Sequence, residues 1–597
     1  MSKLENIVEK FIETNILIIG SGGAGSTAAI AAAKSGLKVT IATKGRFGRC
    51  GATVTGDADL AVDSCSLKKQ FSWLIGCTTL DSKEKFFEDI VRGGKFLNDQ
   101  ELVKIHSEEA PDRLQDILDW GMKFNDVGHA SGHTYPRGVH IPGTKLMPVL
   151  KNKVIKSGAE IYEDVMITDV LTNNGRAVGA IGVDIRRGQI LVFKAKATIL
   201  ATGGAMMVYP LTTAPDELTG DGMAMAFRAG AELSNMEFPM FIPGGFIYPK
   251  GIKGIDVPFL LSTAGSVSGH LLNKHGKRFM TKWAPETMEH TTRDIVSVAM
   301  MSEILSERGS PHGGVYVSLK HLPNNLIDYI FEWRNTLRLM GPWTYGGFNL
   351  SDFIPKEQLY NNALESAPAA HFTNGGIRIN AKCETNVLGL YAAGETTAGI
   401  HGGNRLSGNA FTEMIVWGAR SGRFAAEYSA EAPKPEIDIA QVKRYKIRIM
   451  DPLKSKTGGN AIELRKKLQK LAWDKVGVIR DGQILKEAIV EIQKLLEEEI
   501  PKIATKAKNR RYNREWIEAI QIRNMALVLL LTAKAAFMRT ESRAAHYRND
   551  HKMTDYDNWT KNIIIKKVDF KQVLTAVQAN ITTLKPPKGK VKYGVVK

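Results

Sequence analysis

The feature that most narrows the fold is Gly20-Ser21-Gly22-Gly23-Ala24-Gly25, set between the apolar run Asn15-Ile16-Leu17-Ile18-Ile19 and an alanine-rich stretch, Ser26 to Lys34. A short continuous apolar run is what a strand buried on both faces requires. The alanine-rich stretch predicts a helix that Gly36 ends, and Leu37-Lys38-Val39-Thr40-Ile41 predicts a second strand. Together they make one βαβ unit. Glycines at 20, 22 and 25 let the backbone turn tightly, approach a pyrophosphate and seat helix against strand, while the helix N-terminus offers amide donors to phosphate. One departure stands out: the second strand runs into Thr43-Lys44, without the acidic residue that usually holds an adenosine ribose.

A chain of 597 residues is too long for one core. Apolar content of 43% and aromatic content of 8% are ordinary for a globular enzyme, whereas a net charge of +18 is not. That charge suits anionic small molecules, an anionic membrane face, an acidic protein partner or a plain lysine-rich surface. Nucleic acid is disfavoured, because no basic–aromatic interleaving or nucleic-acid module accompanies the charge. The four cysteines, Cys50, Cys65, Cys77 and Cys383, lack the close spacing of metal or iron–sulfur ligands and fit a reducing compartment. No metal site is expected, and single electrons would have to come from a partner. The N-terminus has no signal-peptide core. The longest apolar stretch, Met525 to Phe537, is interrupted by Lys534 and falls short of the roughly 20 residues a spanning helix needs. It reads as a buried helix, and the expectation is a cytoplasmic protein without transmembrane segments.

Further along, Leu102 to Trp120 has a helical pattern, and residues 159–201 read as several strands ending in Ala197-Thr198-Ile199-Leu200-Ala201 before Thr202-Gly203-Gly204. Leu218-Thr219-Gly220-Asp221-Gly222 puts a carboxylate in a tight turn ahead of a helix. Gly389-Leu390-Tyr391-Ala392-Ala393-Gly394-Glu395 ends a buried strand on a second carboxylate. Ile400-His401-Gly402-Gly403-Asn404-Arg405-Leu406-Ser407-Gly408-Asn409 follows, and Glu541-Ser542-Arg543-Ala544-Ala545-His546-Tyr547-Arg548 lies near the close.

On these segments the chain resembles the flavoprotein subunits of the fumarate reductase and succinate dehydrogenase family, with L-aspartate oxidase and adenylylsulfate reductase as relatives. The resemblance implies an α/β fold. A Rossmann-like FAD-binding domain (1–235 and 356–430) would carry an inserted α+β capping domain (236–355), then a helical domain (431–550) and a basic C-terminal extension (551–597). It places Gly20, Gly22, Gly23, Gly25, Thr43, Lys44, Gly51, Ala52, Thr53, Gly203, Asp221, Gly394, Glu395, Arg405 and Ser407 around FAD. Respiratory members attach FAD through a histidine. The matching stretch here, Arg49-Cys50-Gly51-Ala52-Thr53-Val54-Thr55-Gly56, has none, so non-covalent FAD is expected.

The family interconverts a carbon–carbon double and single bond beside a carboxylate. Arg293, in Thr291-Thr292-Arg293-Asp294, matches its proton-delivering arginine. His371, in His371-Phe372-Thr373-Asn374-Gly375-Gly376, and Arg405 match its carboxylate ligands, and His401 either joins the site or orients the loop. A guanidinium fork suits a carboxylate held at two points. Two family features are missing. Ile242, in Met236-Glu237-Phe238-Pro239-Met240-Phe241-Ile242, stands where a substrate-binding histidine belongs, and a Thr-Glu pair is absent around Leu261-Ser262-Thr263-Ala264. An apolar side chain cannot compensate a buried carboxylate. The expected substrate is therefore an unsaturated acid, or its saturated partner, whose far end is larger or less charged than that of fumarate. Two readings compete. One is an enzyme fed by an iron–sulfur electron-transfer subunit, with any membrane association running through that partner. The other is a non-catalytic electron relay in a larger complex, and the joint presence of Arg293, His371 and Arg405 favours the enzyme. Within the enzyme class, an adenylylsulfate reductase-like subunit remains an alternative.

Overall fold

The computed structural model describes residues 7–124, 127–129, 132–255, 269–328, 353–354, 357–569 and 571–594. Its centre is a seven-stranded sheet. Lys10–Ile19 pairs in parallel with Val39–Thr43 on one side and Gln189–Leu200 on the other. Glu160–Glu163 extends the sheet beyond Val39–Thr43, Leu390–Ala392 joins Gln189–Leu200 in parallel, and antiparallel strands Arg176–Asp184 and Val165–Asn173 complete it. Ile16, Leu17 and Ile18 are fully buried, as a strand covered on both faces must be. The first strand begins earlier than its apolar run. Lys10 to Thr14 pair with Leu191 to Ala195, and only alternate residues there are buried, so one face meets solvent.

Two close approaches explain the glycines. A Cβ on Gly25 would stand 2.0 Å from the Gly20 carbonyl oxygen, and one on Gly20, whose φ is +108°, would stand 2.1 Å from that of Ala201. No side chain fits either gap. The glycine turn is thereby locked against the end of Gln189–Leu200 and opens into the helix Gly23–Ala33.

A second sheet lies in the cap, with strands Pro239–Tyr248, Leu364–Thr373, Val315–Ser318 and His270–Leu272 in antiparallel order. The strand Leu364–Thr373 lies beyond residue 355, where the sequence reading closes the cap. It carries His371 from the cap to the dinucleotide layer. The helix Arg293–Leu305 packs on Pro239–Tyr248. The Leu261–Ala264 segment lies outside the described residues.

Helices Ile439–Lys454, Ala461–Lys475, Gly482–Lys494 and Arg514–Met538 follow. Asp438, Asn460, Asp481 and Asn513 each accept a backbone N–H at the first turn, the usual relief for unpaired helix-end donors. Arg514–Met538 is longer than the apolar stretch within it. By length and composition it matches a membrane-spanning helix, yet 72% of its most apolar window is buried inside the protein. Lys534, the charge interrupting that stretch, reaches out to donate to Gln572 Oε1 at 2.6 Å.

Residues 551–594 are woven into the molecule rather than extended from it. Lys561–Val568 and Lys571–Gln578 form a hairpin that joins the sheet containing Leu233–Ser234 and Gly376–Arg378. Lys590–Lys592 pairs with Met553–Asp555, and Tyr593 then hydrogen-bonds Asp294.

Candidate active site

A carboxylate from elsewhere in the chain lies beside the end of the second strand. Lys44 Nζ donates to Asp221 Oδ2 at 2.7 Å, to Thr219 Oγ1 at 2.9 Å and to the Glu217 carbonyl at 2.7 Å. Thr219 Oγ1 donates to the same Asp221 oxygen at 2.9 Å, and Asn524 Nδ2 donates to Oδ1 at 2.7 Å. Asp221 is thus held beside Thr43-Lys44 at the N-terminus of the helix Asp221–Ala229, where the helix dipole favours a carboxylate. Ser21 Oγ donates to Thr43 Oγ1 at 2.8 Å, which fixes the glycine turn to that strand end.

Gly51 opens the short helix Ala52–Thr55 and brings Thr53 to the turn, where its Oγ1 accepts the Gly23 N–H at 3.0 Å. Gly203-Gly204 and Gly394-Glu395 meet from two strand ends. Glu395 accepts the Thr373 N–H at 3.1 Å and a backbone N–H of Gly204. Its surroundings are deep in the protein although its surface is partly accessible. Burial pushes its carboxyl up to about 7, against the downward pull of the Thr373 amide. Ser407 accepts the His133 Nε2–H at 2.8 Å and precedes the helix Asn409–Glu431.

The expected catalytic residues gather from three elements. Arg293 begins its helix, His371 comes from the cap strand, and Arg405 from the loop ahead of Asn409–Glu431. Arg405 is 7% exposed, with its guanidinium 4.5 Å from the Phe372 ring centroid. Burial, then the charge of Arg293, lowers its pKa to about 9. Burial and the same two arginines hold His371 well below the ordinary histidine value, hence neutral. Its Nδ1 hydrogen-bonds Thr213 Oγ1 at 2.7 Å, which leaves Nε2 for a ligand. Two guanidiniums repelling one another beside a neutral imidazole make a site that an anion would stabilise.

His401 is placed differently. It is 3% exposed and its Nε2 lies 3.0 Å from Glu413 Oε2, with the Phe372 ring beside it. This geometry suits orientation of the 400–409 loop. Ile242 is 4% exposed in an apolar cluster with Leu211, Ile247, Ala367 and Ala369.

A model described as FAD binding domain matches residues 15–411, and one described as Fumarate reductase flavoprotein C-term matches residues 465–593. The chain belongs to the fumarate reductase and succinate dehydrogenase flavoprotein family. Its relatives include a subunit of the fumarate reductase (CoM/CoB) of Methanothermobacter marburgensis, 33% identical over 93% of this chain and 97% of that protein. The fumarate reductase flavoprotein subunit of Mycobacterium tuberculosis is 30% identical over 97% of this chain and 99% of that one. Among solved structures, Mycobacterium smegmatis Sdh1 superposes with a TM-score of 0.84 at 30% identity, covering 96% of this chain and 95% of its own.

This member of the family is an FAD-dependent oxidoreductase acting on CH–CH bonds. Its own residues fit the cofactor. Besides the glycine cradle and the fixed Asp221, four polar side-chain atoms between 404 and 409 are buried without a hydrogen-bond partner: Asn404 Oδ1, Arg405 Nε and both side-chain heteroatoms of Asn409. Orphans of this kind are rare unless a ligand satisfies them. Further side chains hold these residues in place. Asn524 and Thr219 hold Asp221, Thr213 fixes His371, and Glu413 holds His401.

Proposed function

We propose that this flavoprotein interconverts an unsaturated carboxylic acid and its saturated partner, with a far end larger or less charged than that of fumarate. The observation that carries this reading is the grouping of Arg293, His371 and Arg405, set against Ile242 in its apolar cluster. FAD, when bound, supplies the hydride donor or acceptor. Arg405 and the Nε2 of His371 grip one carboxylate and, by drawing charge toward it, polarise the adjacent double bond. Arg293 delivers or takes the proton at the neighbouring carbon. With a pKa ordinarily above 12, it serves only where it is promptly reprotonated.

Two further readings support the same picture. FAD is held without a covalent bond, since residues 49–56 contain no histidine. Electrons pass through an iron–sulfur partner, since the chain's four cysteines are too scattered to hold a cluster.

The test is reoxidation of the dithionite-reduced protein by a panel of enoates, with fumarate as reference and Arg293→Ala as control. Turnover with an enoate bearing a bulkier or uncharged far end, faster than with fumarate and lost in Arg293→Ala, is expected. No reoxidation by any acid, or equal rates in the variant, sinks the enzyme reading and leaves an electron relay.

A further inference from the structure

The helix Arg514–Met538 carries Arg523 and Asn524 side by side where it meets the dinucleotide layer. They line a small cleft open to solvent, together with Asp169, Arg228, Arg448 and Asp451. The partners are unevenly distributed. Arg228 donates from Nε to Asp169 Oδ1, from Nη2 to the Thr168 carbonyl and from Nη1 to Asn524 Oδ1, each at 2.8 Å. Arg448 donates from Nη2 to the other Asp169 oxygen. Asp169, 1% exposed, has both oxygens taken. Arg523 makes no hydrogen bond or ion pair with any described residue, and the remaining acid, Asp451, sits exposed at the rim.

Three guanidiniums stand against two carboxylates, the enclosed Asp169 and the exposed Asp451, so the cleft carries a net positive charge. A partly buried guanidinium facing two others is electrostatically costly without a counter-anion. Burial and the charges of Arg448 and Arg228 already depress Arg523 to about 10. Planar forks on separate helices, Arg448 on Ile439–Lys454 and Arg523 on Arg514–Met538, match the edges of a tetrahedral oxyanion better than lysines would.

We propose that this cleft is an anion site, distinct from the flavin and substrate sites, that binds a phosphate group between Arg523 and Arg448. The site is also wired to the cofactor cradle. Asn524 accepts from Arg228 with one side-chain atom and donates to Asp221 with the other.

The experiment is calorimetric titration of the FAD-loaded protein with inorganic phosphate at constant ionic strength, with chloride as blank and AMP in a parallel series. A saturable site for phosphate or AMP is expected, weakened roughly tenfold or more in Arg523→Gln and retained in Arg405→Gln. Tighter binding of AMP assigns a phosphomonoester, and equal binding assigns free phosphate. Heats no larger than those of chloride, or the same binding in Arg523→Gln, overturn the proposal. Thermal melts establish that each variant is folded. Should the glutamine variant not fold, Arg523→Met replaces it under the same expectation.

Discussion

Glu395→Gln isolates one charge at the heart of the site. The carboxyl is raised from an ordinary 4.5 to about 7, chiefly by burial. Its folded form therefore holds a proton that the unfolded chain gives up. By linkage, the wild type loses stability as pH climbs from the unfolded value toward 7. At about 1.4 kcal/mol per pH unit, the penalty reaches about 3 kcal/mol above neutrality, an upper bound because the side chain keeps some access to water. Glutamine carries no charge at any of these pH values, and its amide oxygen still accepts the Thr373 N–H. Urea titrations of the flavin-free protein, followed by tryptophan fluorescence at several pH values from 4.5 to 8, measure the difference between variant and wild type. It should open in favour of the variant by roughly 2–3 kcal/mol with rising pH. A difference that stays flat, or closes as pH rises, refutes the account of Glu395 as a buried, proton-holding carboxyl.

Gly25→Ala places a methyl 2.0 Å from the Gly20 carbonyl oxygen, so the turn must open and the cradle with it. The purified variant should lose most of its flavin absorbance near 450 nm relative to protein, and full occupancy would contradict the cradle. Precipitating the native holoprotein with trichloroacetic acid should leave the yellow colour in the supernatant. Flavin retained in the washed pellet would mean a covalent link that residues 49–56 give no reason to expect.

Local signals are legible in proportion to how local their physics is. The glycine turn, the buried strands around Ile16–Ile19 and Ala197–Leu200 and the helix over Leu102 to Trp120 rest on period, propensity and steric limits acting within a few residues. Lys10 to Thr14 escape because Lys10, Glu13 and Thr14 leave no continuous apolar run like Ile16 to Ile19. The segment beyond 551 reads as an extension because its lysines mask a core of Ile563, Ile564 and Ile565. What the sequence does not display is who meets whom. Asn524 reaches Asp221 across 303 positions, and Lys44 reaches it across 177. Each is an ordinary polar side chain until the fold supplies its partner. The replacement of a strand-end acid by Lys44 with a borrowed carboxylate is of this kind. A departure from the dinucleotide pattern in the sequence thus has a carboxylate beside it in space.

The contact between Tyr593 and Asp294 sets an order of events. Asp294 follows Arg293, and the hydroxyl that bonds its carboxylate at 3.2 Å stands 299 residues later. A nascent chain can pair the glycine turn, fold the cap and stack its helices while that hydroxyl is still unsynthesised. The neighbourhood of Arg293 is thus finished by a residue remote in sequence, so a chain cut before Tyr593 would present a cofactor cradle without that hydroxyl beside it.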